Sequence, residues 1–514
     1  MITFRHTVSL VAMSTLLMGT GCGEDESASN DASNAVTTAS QTFEAWSVKE
    51  TTKADLEKYF NVESRSNAGA DQALAAMGLD SPSDNVSWAS MDGSDGNYTY
   101  SGLTFASDDG EMTASEMSLH GVHMADGAPS FDKLVLSGAK MESDDGQGSI
   151  DRLMVADPHP EVASAILSSL SQMDSMDDFS GDVDLDDGEM PFGAMLLEGV
   201  DVSSEGNTVK VATLGWGADE TSGLGSLLLS DLAINAVNED NGHPVSISVG
   251  TASGSDINLA IFDSMKGDMD AMSAHTNPMK GEGAGNLLVK DVTMNVDTLA
   301  FSLTSLKVAS TQEGDVSTQK MQLDPMTVRF SGEPSDFEMM EAYNALQSMG
   351  FEELVFTANM VGIYDKADNT VIVKDSVFSL EDGFDMAMDM KLSGVEDDDV
   401  EPDPLIHNIS FALTDRSILD KAFAYAAEMQ GGNPKLIRQQ AKAGLSMAAM
   451  MVETPEERKL VSTLTKPIVK FIDEGGTLVF NINPPTPMRA SELENMGDGP
   501  EVLETMGLSL THQE

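Results

Sequence analysis

The sequence predicts a β-rich α+β fold: a curved antiparallel sheet of repeated bent strands, with inserted helices and a C-terminal helical module. Three observations carry this expectation. An eight-residue phrase, apolar-x-apolar-polar-turn former-apolar-x-apolar, recurs between Tyr98 and Phe378. Each half of the phrase keeps the period of two that lines up side chains on one strand face, and the phase slips once at the turn former. After Asp415 the pattern changes to helical periods with capping signals.

The copies are Tyr98-Thr-Tyr-Ser-Gly-Leu-Thr-Phe105, Met117-Ser-Leu-His-Gly-Val-His-Met124, Leu134-Val-Leu-Ser-Gly-Ala-Lys-Met141 and Met195-Leu-Leu-Glu-Gly-Val-Asp-Val202. They continue as Leu227-Leu-Leu-Ser-Asp-Leu-Ala-Ile234, Leu287-Leu-Val-Lys-Asp-Val-Thr-Met294, Met321-Gln-Leu-Asp-Pro-Met-Thr-Val328 and Val371-Ile-Val-Lys-Asp-Ser-Val-Phe378. One extra residue at Gly, Asp or Pro is what a β-bulge or tight kink needs, and it returns the second half's apolar residues to the first half's face. The copies begin 17 to 61 residues apart, too irregular for a solenoid of fixed repeat. Alternating segments at Thr208 to Thr213, Val245 to Val249, Phe301 to Val308 and Phe384 to Leu392 fill the gaps. An antiparallel meander with one apolar and one acidic face accommodates all of them.

In chain order, residues 1–21 have the layout of an export signal: Arg5, an apolar stretch from Val8 to Met18, then Gly19-Thr20-Gly21 before Cys22. Residues 22–45 are polar and nearly free of large apolar side chains, which predicts a flexible acidic tether. Residues 46–410 form the repetitive, groove-like sheet region. It opens with short helical patterns at Lys53 to Phe60 and Asp71 to Met77, and helices near 160–176 and 337–349 interrupt it. In the latter, Ser335 and Glu338 stand at capping-box spacing, Gly350 stops the helix, and Phe337, Met340, Tyr343 and Leu346 form the stripe expected to pack on the sheet. Residues 411–514 read as a mainly helical module over Arg416 to Met429, Pro434 to Val452 and Glu456 to Asp473. Thr454 and Glu457 cap the last of these, and Pro467 is expected to kink or divide it. A strand near 477–483 and short helices around Ser491 and Pro500 follow.

The chain carries 85 Asp+Glu against 28 Lys+Arg, a formal charge of −57. That balance repels phosphate backbones and excludes nucleic acid as a partner. Between Asp415 and Phe471 nine basic residues face six acidic ones, so the helical module is locally positive and suited to docking on the acidic sheet or facing an anionic surface. With a single cysteine there is no internal disulfide.

Candidate sites follow from residue type and spacing. Phe384, Met386, Met388, Met390 and Leu392 alternate without fault and would line the interior of the sheet as a ligand groove or a filled core. Met is flexible and polarizable, so a Met-lined face adapts to varied apolar ligands. The three thioethers are also soft-metal donors. No cofactor is implied, apart from calcium at Asp182, Asp184, Asp186, Asp187 and Glu189 around Gly188, where the glycine is one position late for an EF-hand. Asp92 to Asp95 with Asn97 is a second calcium candidate, and His120 with His123 a metal pair. There is no G-x-S-x-G, H-E-x-x-H or P-loop motif, and the eight histidines are scattered, so no catalytic residue is assigned.

The N-terminal segment resembles a bacterial lipoprotein signal, which implies cleavage before Cys22, a lipid on its thiol, and attachment to the membrane through that lipid. Ordinary secretion is the alternative, since Gly19 and Gly21 also fit a small-x-small cleavage site. The repeated strands resemble those of AsmA-like and similar large proteobacterial envelope proteins, whose sheets line apolar grooves associated with lipid handling. The tail, Pro467-Ile-Val-Lys-Phe471 with Gly475-Gly476-Thr-Leu478 and Pro484-Pro485-Thr-Pro487, is similar to those of uncharacterised exported proteins. These resemblances imply a lipid-anchored protein of the periplasm or outer membrane that binds an apolar ligand or an envelope protein without catalysis. A structural or adhesive surface protein is the alternative.

Overall fold

A computed structural model describes residues 46–62, 67–106, 110–125, 127–143, 146–160, 162–163, 166, 192–219, 223–237, 242–258, 285–334, 337–394, 403–448, 455–494, 503 and 505–514. The fold is β-rich α+β and dominated by antiparallel strands paired with their sequence neighbours. Among the described residues two compact units are distinguished, one within 49–258 with 285–297, the other within 298–514 with 46–48.

In the first unit, helix α1 (Lys53–Glu57) starts at a capping box. Thr52 Oγ1 accepts from the Asp55 amide, and the Asp55 carboxylate takes the Thr52 amide in return. A 3₁₀ turn (Lys58–Phe60) and helix α2 (Ala70–Ala76) follow. The sheet then runs through β1 (Val86–Ser87), β2 (Ser90–Ser94), β3 (Asn97–Ala106), β4 (Gly110–His120), β5 (His123–Ala125), β6 (Ala128–Ser130), β7 (Lys133–Ser143) and β8 (Gly146–Pro158). It continues through β9 (Phe192–Ser204), β10 (Asn207–Asp219), β11 (Leu224–Val237), β12 (Pro244–Asn258) and β13 (Asn286–Val296). Strands β3, β4 and β7 to β13 pair in that order, β1 and β2 both pair with β3, and β5 and β6 form a separate hairpin. The phrase therefore falls on β3, β7, β9, β11 and β13, every second strand beyond β7. Copy spacing is irregular because long insertions follow β8 and β12, whereas β9 and β10 are joined by the two-residue turn Glu205-Gly206, both at positive φ.

The turn formers all adopt left-handed backbone. Gly102, Gly138, Gly199, Asp231 and Asp291 have φ between +49° and +61°. They are not the one-residue bulges the phase slip suggested. Register is the same on both sides of them (Ser101 with Glu116, then Leu103 with Ala114), because each partner strand skips a residue at the same level. The missing pairs are Gly102/Ser115, Gly138/Asp151, Gly199/Ala212, Asp231/Gly250 and Gly250/Asp291. Together they form a crease running across the strands. Each crossing has room for few side-chain atoms: a Cβ on Gly199 would run into the Asp151 carboxylate, and one on Gly250 would lie 2.9 Å from the Asp291 Cβ. The second copy departs further, since Gly121 ends β4 and its second half leaves the main sheet as β5.

The second unit contains β14 (Leu299–Glu313), β15 (Val316–Phe330), α3 (Phe337–Ser348), β16 (Glu353–Asp365), β17 (Thr370–Leu380), β18 (Phe384–Ser393) and β19 (Leu405–Asp415). Helices α4 (Ile418–Gln430), α5 (Pro434–Ala448) and α6 (Pro455–Glu474) precede β20 (Thr477–Ile482), β21 (Met488–Arg489), α7 (Ala490–Glu494) and β22 (Ser509–Gln513). Strands β14 to β20 pair in order, β21 joins β19 and β22 joins β20. True bulges occur here. Asp324 and Pro325 together oppose Thr357, and Lys374 with Asp375 (φ +52°) opposes Asp389.

Helix α3 ends as expected, with the Gly350 amide on Gln347 O and the Phe351 amide on Leu346 O. Its Met340, Tyr343 and Leu346 are half-buried, and Tyr343 meets Phe330 of β15 edge-on at 5.6 Å. Pro467 does not divide α6, which is continuous through it. Capping residues Ser335 and Thr454 lie outside the described residues, as does the tether.

Candidate functional site: the apolar face of the sheet

Directly opposed residues of neighbouring strands share a face, so register defines what each face offers. In the first unit one row reads Tyr100, Met117, Leu136, Leu153, Leu197, Leu214, Leu229, Ala252, Val289 from β3 to β13. A parallel row runs from Tyr98 through Leu119, Leu134, Val155 and Met195 to Leu287, and beyond the crease another runs from Phe105 through Val202 and Ile234 to Met294. No charged side chain interrupts these three rows. The other face carries polar rows, and Glu116, Ser137, Arg152, Glu198, Thr213, Ser230, Thr251 and Lys290 form one of them.

Among the described residues, the apolar face is covered at one end. Over β3 to β7, α2 and the residues after it bring Ala73, Leu74, Met77 and Leu79 onto Tyr100, Leu103, Met117 and Leu134, all at most 5% exposed. The Tyr100 hydroxyl donates to Leu79 O at 2.8 Å, and burial holds it well above the usual phenol range. Helical residues Ala163 and Ile166, near the start of the expected 160–176 helix, add to this cover. From β9 to β13 the same rows are mostly half-buried, and Leu214 is 37% exposed.

Along β8 to β11 the cover lies on the opposite face. Leu56 of α1 and Phe60 pack with Met154, Ala156, Ala194, Leu196 and Leu228. Gly215 and Gly217 admit them: a Cβ at Gly215 would press on Leu56 and one at Gly217 on the Tyr59 ring. Around this contact Glu198 takes both Lys53 and Arg152, and Arg152 reaches Glu57 at 3.0 Å. Burial alone would raise the Glu198 carboxyl, but its hydrogen bonds to Lys53 and Arg152 bring it below the ordinary range.

In the second unit, Phe384, Met386, Met388, Met390 and Leu392 share a face, as their alternation predicted. Met386 lies between Phe378 and Leu413, Met388 between Ser376 and Phe411, and Met390 between Val373 and Ile409. The row through Met386 reads Leu306, Leu323, Ala358, Phe378, Met386, Leu413, Leu478. Phe378 contacts Phe356 and Phe384 at ring distances of 5.7 and 6.1 Å. Only Leu392 of the five is buried, and the three methionines are half-buried. On the other side of the strand, burial and then the charge of Asp375 raise the Asp389 carboxyl.

Cys22 and the calcium candidates Asp182, Asp184, Asp186, Asp187 and Glu189 lie outside the described residues. Asp92, Asp95 and Asn97 sit at the tip of the β2–β3 hairpin, where Asp95 takes Ser94 Oγ at 3.0 Å. His120 meets Asn97 at 3.3 Å and His123 meets Gly121 O at 2.7 Å, so the two imidazoles are engaged separately. Among the described residues no group of three His, Cys, Asp or Glu is placed to hold a metal, and no helix is long and apolar enough to cross a membrane.

The strands β8, β10 and β12 carry no copy of the phrase; the sequence placed gap-filling strands at Thr208 to Thr213 and Val245 to Val249 and gave β8 no assignment. Their signal was the same phase slip, as in Val209, Val211, Leu214 and Trp216.

In the first unit, fold and face together define an antiparallel meander with three charge-free rows on one side. A family model described as an uncharacterized protein matches residues 377–513, from β17 to β22. No curated protein and no solved structure matches the chain.

Proposed function

We propose that the chain is an exported envelope protein, lipid-anchored at Cys22, that binds an acyl-type apolar molecule along its sheet without catalysis. One observation carries this reading: the charge-free rows stay half-exposed from β9 to β13, where the covered end shows that the same phrase can be fully buried. Exposed aliphatic surface of this extent marks a binding site. Met386, Met388 and Met390 extend the same adaptable chemistry to the second unit.

Organic extraction of the purified protein, followed by mass spectrometry, tests the reading. Co-purifying acyl lipid is the expected result. A clean extract from folded protein that also fails to bind an apolar fluorescent probe overturns it in favour of a structural role. For the anchor, Cys22→Ser is expected to shift the protein from the detergent phase to the aqueous phase.

A further inference from the structure

Three of the six large apolar side chains exposed among the described residues fall within the α4–α5 hairpin: Met429 at 71%, Leu436 at 50% and Met447 at 56%. They coincide with a charge anomaly. Residues Met429 to Val452 are the longest run of the chain without Asp or Glu, although acids make up 85 of 514 residues. The run carries Lys435, Arg438 and Lys442.

Geometry turns these residues into a face. Leu436, Ala443 and Met447 are spaced by seven and four, which places them within about 20° of one line along α5, over roughly 16 Å. All three are exposed, as are Lys435, Gln439 and Gln440 beside them. The other side of the helix is fastened inward: Arg438 pairs with Asp420 of α4 and lies 5.0 Å over the Phe423 ring, and Lys442 pairs with Asp473 of α6. These ties hold the apolar line outward. Met429, at the end of α4 just before the Gly431-Gly432 turn, is exposed as well.

We propose that this hairpin is a bilayer-docking surface, with α5 lying flat in the headgroup region of a membrane containing anionic lipid. A helix with an exposed apolar line, Lys435 beside it and no acids has the composition of an interfacial helix. Elsewhere the chain's charge repels such a surface, so the acid-free run is where contact costs least. A second copy of the chain fits less well, since two bodies of charge −57 repel each other. The inference does not depend on the ligand reading or on a lipid at Cys22.

The test uses full-length mature protein carrying Cys22→Ser, so that no acyl anchor contributes, sedimented with vesicles of phosphatidylcholine alone or mixed with phosphatidylglycerol. Binding to the mixed vesicles is expected, and Leu436→Asp with Met447→Asp should weaken it at least about tenfold without changing the thermal midpoint, since both side chains are exposed. Lys435→Glu, a milder surface change, should weaken binding to the mixed vesicles alone. Absence of binding, equal binding by the Asp variant, or a concentration-dependent dimer in sedimentation velocity that the Asp variant abolishes would each overturn the proposal, the last in favour of self-association.

Discussion

Between β3 and β7 the sheet's apolar rows form a core, and between β9 and β13 the same rows are half open. Tyr100 and Leu134 lie at one end and Leu214 and Leu229 at the other, in strands paired one after the next across the same rows. What differs is the segment placed over them. Residues 70–79 lie on the apolar face at the first end, while residues 53–60, a few positions earlier, lie on the opposite face beneath β8 to β11. Strand periodicity decides which side chains point together. Among the described residues, whether they form an interior follows where residues 53–79 and the residues around Ala163 come to rest.

The largest expected effect separates the two ends directly. Leu134→Asp should cost about 3–5 kcal/mol, because it strands a carboxylate in a dry core. Leu229→Asp, in the half-open stretch, should cost about 1 kcal/mol or less and instead reduce apolar probe binding. Urea titration of both variants with a probe-binding isotherm checks this; equal destabilisation would erase the distinction.

A smaller effect concerns the crease, which both ends share. Gly199→Val forces a β-branched residue into left-handed backbone against Asp151 and should cost about 1–3 kcal/mol. Gly138→Val, at the covered end beside Ser115, should cost a similar amount if the crease is one device across the sheet, and denaturant melts of the pair compare them.

The smallest is electrostatic. The folded Glu198 carboxyl titrates below its ordinary range, so the Lys53–Glu198–Arg152 network contributes fully above about pH 4.3, the unperturbed value, and is lost as pH falls further. Glu198→Gln should flatten the acid limb of the stability curve while leaving the covered end unaffected, as hydrogen exchange at Tyr100 and Met117 would report.

Much of this was legible in the sequence. The phrase located the strands and their phase slip, and the left-handed turn formers Gly102, Gly138, Gly199, Asp231, Asp291 and Asp375 fall where it placed them. Two things were hidden. Whether a phase slip is a bulge or a crease depends on the partner strand, and Asp151, Ala212 and Gly250 belong to strands without the phrase. β22 was also missed, since Ser-Leu-Thr-His-Gln acquires strand character only by pairing with β20. The candidate face was half legible: Met386, Met388 and Met390 could be put on one side of a strand, but their partial exposure is a property of what surrounds them.

The crease has one further consequence, for the order in which the chain assembles. From β7 to β13 each strand pairs with its immediate successor, and the left-handed residue recurs every second strand, so each hairpin carries its own register mark. A nascent hairpin can align against the last strand already formed without waiting for distant sequence. Contact order stays low for so extensive a sheet, and zipping proceeds strand by strand from a finished edge. The long insertions after β8 and β12 then lengthen individual steps without shifting the alignment of those that follow.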